Sequence, residues 1–132
     1  MENISINLLA VSASALSFLI VGGVFYSKPV FGKMWMALAR IKDTKGAKKA
    51  FVIAFFAAFI MSYVLAYILK CAKAGSVMDG ISIAFWLWLG FIIPITLGSV
   101  LWEKQPFKLF MLNNACYLIS LIVMSVILTI WV

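Results

Sequence analysis

The chain has 132 residues, of which 66% are hydrophobic and 11% are charged, with a formal net charge of +7. Ordinary soluble domains are roughly 45–50% apolar and about 25% charged. The composition therefore excludes a soluble enzyme, a disordered chain and a nucleic-acid-binding module. A mean hydropathy of +1.15 agrees, and we predict one integral membrane domain over residues 1–132.

Four uncharged apolar runs predict four membrane-spanning helices, at residues 4–26, 50–69, 81–101 and 109–132. About 20 helical residues cross a hydrocarbon core roughly 30 Å thick. Because lipid offers no hydrogen bonds to the backbone, helices are favoured over open strands. The first run follows Glu2 and no Lys or Arg, so we expect it to stay as a span rather than act as a signal peptide. The predicted fold class is all-α, a four-helix transmembrane bundle.

The basic residues predict the orientation of the spans. Placing the first and third loops inside puts nine Lys and Arg in the cytoplasm and two outside, as positively charged cytoplasmic loops require. Both termini then lie outside. We expect the first loop to contact anionic lipid headgroups, and not nucleic acid, because no aromatic stacking platform accompanies it. Its basic residues are Lys28, Lys33, Arg40, Lys42, Lys45, Lys48 and Lys49.

Residues 29–40 predict a short interfacial amphipathic helix between the first and second spans. Apolar side chains recur there at helical spacing, while Lys33 and Arg40 supply a polar side. Tryptophan rings prefer the headgroup level. We accordingly expect Trp35 and Trp102 at the inner interface, Trp131 at the outer one, and Trp86 and Trp88 near the outer end of the third helix. In the interfacial helix, Pro29 suits the first turn.

Missing residue types exclude several kinds of chemistry. The chain has no His and only four Asp and Glu, none within a predicted span, so imidazole ligation and His-based catalysis are excluded and ion coupling is disfavoured. No cofactor is expected. Cys71 and Cys116 fall at different depths of the predicted bundle, which predicts no disulfide. A lipid-modifying enzyme would depend on Glu103, Lys33 or Tyr26 and is the least favoured function.

A polar stripe follows the fourth predicted helix. Amides exposed to hydrocarbon are costly, so the stripe should face other helices. The candidate partners are Ser12, Ser14, Ser17, Thr96 and Ser99. Interhelical hydrogen bonding is the favoured interpretation, and a small polar pocket is the alternative. The stripe comprises Asn113, Tyr117 and Ser120, with Asn114 alongside.

Small residues repeat every four positions on two helices, which lets helices approach closely in lipid. The second helix carries Ala54, Ala58, Ser62 and Ala66, and the third carries Gly90, Pro94 and Gly98. Pro94 has no N–H for the Gly90 carbonyl, so we predict a kink or a gap there. A packing kink is favoured over a hinge or a cavity wall.

Glu103 is expected to form a salt bridge at the inner boundary, with Lys33 as its candidate partner.

Two sequence blocks, FYSKPVFGKMWM and WLGFIIPITLGSVLWEKQPFKLFMLNNACY (residues 25–36 and 88–117), resemble a family of bacterial membrane proteins. It is the family numbered 1761 among the domains of unknown function. The resemblance implies four transmembrane helices in a bacterial cytoplasmic membrane, and it carries no established activity, substrate or cofactor. It draws attention to Tyr26, Phe31, Gly32, Lys33, Trp35, Glu103 and Asn114 as motif positions.

Two functions follow from these features. The favoured one is a non-catalytic membrane protein that is homo-oligomeric or an accessory subunit of another membrane protein. The alternative is a carrier, channel or binder for a small neutral or lipidic solute, walled by the polar stripe and the break at Pro94. A dry, packed stripe favours the first, and a continuous polar cavity favours the second.

The orientation is tested by thiol labelling. An Asp79→Cys variant, in a background with both native cysteines replaced, should react with an impermeant maleimide on intact cells, because the second loop is predicted outside. Labelling only after cell lysis would invert the assignment.

Overall fold

A computed structural model describes residues 6–27, 32–39 and 47–131. Every regular element within these residues is a helix. Four of them are long and apolar enough to cross a membrane: Leu8–Phe25, Lys49–Cys71, Val77–Leu101 and Phe107–Ile130, here called the first to fourth spans. The predicted all-α, four-span fold is confirmed. A short helix lies between the first span (α1, Leu8–Phe25) and the second, and is called α2 (Lys33–Ala39). Its interfacial location stays a prediction.

The ends of the spans depend on capping as much as on hydropathy. Asn7 accepts hydrogen bonds from the backbone N–H groups of Leu9 and Ala10 at the start of the first span. Ser76 Oγ accepts the N–H of Asp79 at 3.2 Å, and Asp79 Oδ2 accepts the N–H of Gly75 at 3.2 Å. This reciprocal cap starts the third span at Val77, four residues before the predicted boundary at 81.

The other boundaries shift by a few residues. The second span belongs to a helix over Ala47–Cys71, which extends past the predicted 50–69 at both ends. Lys favours helices, so a helix continues beyond its uncharged stretch. The fourth helix covers Phe107–Ile130 instead of 109–132. The first covers Leu8–Phe25, and the beginning of the predicted run, residues 4 and 5, lies outside the described residues.

A widened turn interrupts the third span just before Pro94. Residues Trp88–Ile92 form a π-helical turn, between α-helical segments over Val77–Leu87 and Ile93–Leu101. The N–H of Ile93 bonds to the carbonyl of Trp88, five residues back. A proline ring clashes with the carbonyl four residues before it, and a wider turn relieves that crowding. The break predicted at Gly90–Pro94 is therefore present as a π-turn.

The fourth span occupies the centre of the bundle. The first, second and third spans and α2 all pack against it. The first and second spans also pack extensively on each other, whereas the third span packs chiefly on the fourth. One core cluster consists of Leu65, Leu69, Ala84, Leu121 and Met124. The bundle is consequently open between its second and third spans.

Only one of the two small-residue ridges is buried. Ala58, Ser62 and Ala66 of the second span lie in the core, and Ser62 Oγ donates to the Val11 carbonyl at 2.9 Å. This contact between a side chain and a neighbouring backbone requires the close helix approach that small residues permit. Gly90 and Pro94 of the third span are exposed instead.

Gly80 offers a test of how tightly the third span packs on the fourth. A Cβ there would lie 2.7 Å from Thr129 Cγ2 and 3.2 Å from the Ser125 carbonyl oxygen. Because a β-branched side chain is stiff in a helix, Gly80→Ala should lower the free energy of unfolding by about 1–3 kcal/mol. The measurement is unfolding in mixed SDS and detergent micelles.

Gly23→Ala is the matched control, because nothing lies within 4 Å of a Cβ at that position. It should leave stability unchanged or raise it by up to about 1 kcal/mol through helix propensity. Equal effects of the two substitutions would contradict the packing described.

Candidate functional site

A buried asparagine joins the fourth span to the third. Asn114 is 3% exposed. Its Nδ2 donates to Thr96 Oγ1 at 3.0 Å and to the Phe110 carbonyl of its own helix at 2.8 Å. The Thr96 hydroxyl lies 2.7 Å from the Ile92 carbonyl, to which it donates. The structure thus brings two of the predicted pocket residues together, and both amide protons of Asn114 are used within the chain.

Trp88 adds a second hydrogen bond at the same junction. Its indole Nε1 donates to the backbone carbonyl of Asn114 at 2.8 Å. The expectation that Trp88 lies near the outer end of the third helix is wrong, because the helix begins at Val77 and Trp88 falls near the middle of that 25-residue span. The hydrogen bond from Trp88 to the fourth span is the contact of this site that sequence reasoning missed. The sequence signal that could have revealed this was the capping pair Ser76 and Asp79. Because the pair starts the helix at Val77, Trp88 lies deeper in the span than hydropathy predicts.

Asn113 is bonded in a different direction. It accepts a hydrogen bond at Oδ1 from the Tyr26 hydroxyl at 2.5 Å. The Tyr26 ring lies 4.8 Å from the ring of Trp35, centroid to centroid, and both rings pack on a cluster formed by Phe25, Leu112 and Cys116. The structure therefore connects a predicted pocket residue with the predicted interfacial motif, and these contacts fix α2 to the fourth span.

Gly32 immediately precedes α2 and contacts the end of the first span. It is buried, and its N–H donates to the Ser27 carbonyl at 2.8 Å. A Cβ would collide with the carbonyl oxygen of Tyr26 and would lie 2.7 Å from the carbonyl carbon of Ser27. Only glycine fits there, because the obstructing atoms are backbone. The motif positions Tyr26, Gly32 and Trp35 therefore lie close together: the Tyr26 ring contacts that of Trp35, and Gly32 lies against the backbone of Tyr26 and Ser27.

The two charged members of that motif do not join it. Lys33 and Glu103 are both exposed, and no ion pair links them in the part of the chain that the structure describes. The expected salt bridge between them does not form there, because a charge at the end of the bundle is better solvated by water than held in one geometry. Phe31, Pro29 and Arg40 lie outside the described residues.

The two remaining residues of the polar stripe, Ser120 and Tyr117, do not join the hydrogen bonds of Asn113 and Asn114. Ser120 is buried, and its Oγ lies 4.0 Å from Cys116 Sγ. Tyr117 is half-buried and lines a groove together with Thr96 and Phe18. Both cysteines are free, Cys71 exposed and Cys116 buried, so the prediction of no disulfide is confirmed. Among the described residues, no three or more Cys, Asp or Glu side chains are grouped to hold a metal ion.

The helices and their polar contacts define a class of protein, a multi-pass helical membrane protein with polar side chains bonded between its spans. The chain belongs to the family described as Protein of unknown function (DUF1761), whose family model matches residues 9–129. The resemblance drawn from the two sequence blocks is confirmed. No curated protein and no solved structure matches the chain.

The bond between Asn114 and Thr96 predicts energetic coupling. In a double-mutant cycle of Asn114→Leu and Thr96→Val, the coupling free energy should be about 0.6 kcal/mol and at most about 1.7 kcal/mol, the range measured for interhelical bonds in membranes. The readout is the free energy of unfolding in mixed micelles.

The control cycle pairs Thr96→Val with Ser120→Ala, since Ser120 contacts Cys116 instead of Thr96. Its two effects should add to within about 0.5 kcal/mol. Similar coupling in both cycles would show that Asn114 and Thr96 interact only through general packing.

Proposed function

We propose that this chain is a non-catalytic membrane protein that self-associates through its third span. The main observation in support of this proposal is how few residues of that span are buried. Within an apolar stretch of 18 residues in that span, 11% of the residues are buried, against 28%, 28% and 39% in the corresponding stretches of the first, second and fourth spans. A span so lightly covered by its own chain is available to a second copy, or to another membrane protein if the chain is an accessory subunit.

The chemistry of the exposed face supports a helix partner. In lipid, apolar surface alone does not drive helices together, and close backbone approach contributes instead. Gly90 and Pro94 are exposed, and nothing lies within 4 Å of a Cβ at Gly90. A facing helix could therefore approach this ridge closely.

The use of the polar groups supports a non-catalytic role. Asn114, Thr96 and Trp88 bond one another across the bundle, and Tyr26 is engaged by Asn113. Asp79 caps a helix. General acid–base chemistry needs a titratable group in reach of a substrate, and the bonds of Tyr26 and Asp79 occupy two of the titratable groups within the chain.

Charge distribution supports a location in the bacterial cytoplasmic membrane with both termini outside. Lys33, Lys49, Lys104 and Lys108 are exposed at the end of the bundle where the first span ends and the fourth begins, here called the basic end. Basic residues at a membrane surface attract anionic lipid headgroups. We propose that this end contacts the inner leaflet.

Cysteine cross-linking tests the self-association. In a background with Cys71 and Cys116 replaced by alanine, Gly90→Cys should form a disulfide-linked dimer when native membranes are oxidised with copper phenanthroline. Cα atoms must come within about 7 Å for a disulfide, which facing ridges of small residues allow. The readout is the fraction of dimer on a non-reducing gel.

Ile60→Cys is the matched control, because Ile60 is an exposed apolar residue of the second span. It should give little dimer under the same oxidation. Equal dimer from both positions would indicate random collision. A strictly monomeric mass, with no dimer from Gly90→Cys, would contradict self-association.

A further inference from the structure

The opening between the second and third spans forms a groove, here called the lateral groove, that faces the lipid. Its larger part has a volume of about 410 Å³ and lies between Val64 and Ile68 of the second span and Leu87 and Phe91 of the third. A smaller part of about 240 Å³ includes Phe18, Thr96 and Tyr117. The two parts adjoin, since Met61, Ile92 and Leu121 line both.

The helix geometry accounts for the groove. The third span packs chiefly on the fourth, where Thr96 and Trp88 are bonded to Asn114. These bonds hold the third span against the fourth without a comparable contact to the second. The π-turn over Trp88–Ile92 places Leu87 and Ile92 one widened turn apart, so both line the same groove.

The walls restrict what can occupy the groove. All side chains that line the larger part are apolar, and no charged side chain lines either part. A charged ligand would lose its hydration without gaining a partner, so the occupant is neutral. Met61 adapts to varied apolar shapes, and the larger part suits a long apolar tail.

Tyr117, whose hydroxyl is an unused hydrogen-bond donor, lines the smaller part. Thr96 is already bonded to Asn114 and Ile92, but the hydroxyl of Tyr117 has no hydrogen-bond partner among the described residues. Tyr117 lies ten residues after Phe107, roughly 15 Å along the helix. At that depth an unpaired hydroxyl is costly, and an acceptor on a bound molecule would relieve the cost.

We propose that the lateral groove binds a neutral lipid with a planar, carbonyl-bearing head and one long apolar tail, the chemical class of the isoprenoid quinones. The carbonyl oxygen accepts the hydrogen bond of Tyr117, the head lies beside the rings of Phe18 and Tyr117, and the tail follows the larger part of the groove. Phospholipid headgroups are charged and remain at the surface, so they do not reach this donor. The groove is a different surface from the Gly90–Pro94 ridge, so the proposal does not depend on self-association.

Native mass spectrometry from lipid nanodiscs tests the binding. The full chain is reconstituted with phospholipid and a small mole fraction of decylubiquinone, a quinone with a ten-carbon tail. The measured quantity is the fraction of protein released with one quinone mass attached. We expect this fraction to exceed the mole fraction of quinone in the lipid and to saturate at one quinone per chain.

Three variants separate the donor from the groove. Tyr117→Phe removes only the unbonded hydroxyl and should weaken binding roughly two- to tenfold, the effect of one net hydrogen bond. Tyr63→Phe is the matched control, because Tyr63 is exposed on the second span, and it should bind like the wild type. Val64→Trp fills the larger part of the groove from an exposed position and should abolish binding.

Three results would overturn the quinone proposal, each in a distinct way. Retention of phospholipid only, or of quinone in proportion to its mole fraction, means that the groove holds bulk lipid. Undiminished binding by Tyr117→Phe means that no carbonyl is recognised there. If Val64→Trp leaves quinone binding intact but removes the Gly90→Cys dimer, the groove is occupied by a second copy instead. A monomeric protein that still binds quinone contradicts only the proposed self-association.

Discussion

Two consecutive asparagines on the fourth span determine how the other helices are arranged around it. Side chains of neighbouring residues on an α-helix diverge by about 100°. Asn113 is bonded to Tyr26, whose ring contacts Trp35 of α2, while Asn114 is bonded to Thr96 of the third span. Each amide placed in hydrocarbon needs a partner, so the fourth span must have helices on both sides. Its central position follows from that requirement.

Pro94 in the third span affects both the hydrogen bonds of that span to Asn114 and the faces of the span that no other helix covers. Pro94 cannot donate to the carbonyl four residues earlier, and the turn before it is widened to a π-turn over Trp88–Ile92. The widened turn lies between two residues, Trp88 and Thr96, that both reach Asn114. The span is thereby held at its middle, and its remaining faces stay uncovered by the chain's own helices.

The number and approximate length of the spans could be predicted because lipid requires about 20 apolar residues for each crossing. The start of the third span could not be read from hydropathy, because Ser76 and Asp79 are polar and act through capping bonds. The stripe on the fourth helix was visible, but Asn113 and Asn114 serve different neighbours. Helical periodicity places residues on a face and does not say which helices flank that face. Partner choice depends on the packing of the whole bundle.

The third span packs on the fourth with one face and leaves its other faces exposed to lipid or to a partner. Near one end Gly80 lets it approach Thr129 closely, and at its middle Asn114 holds it by hydrogen bonds. Apart from the hydrogen bond that Pro94 cannot make, its backbone bonds run within the helix, so exposing its apolar side chains to lipid costs little. Gly90 then faces away from the bundle with free space around it, while Ile92 lines the lateral groove. Because these two residues lie within one widened turn, a helix partner and a bound lipid can use the same span without competing for one surface.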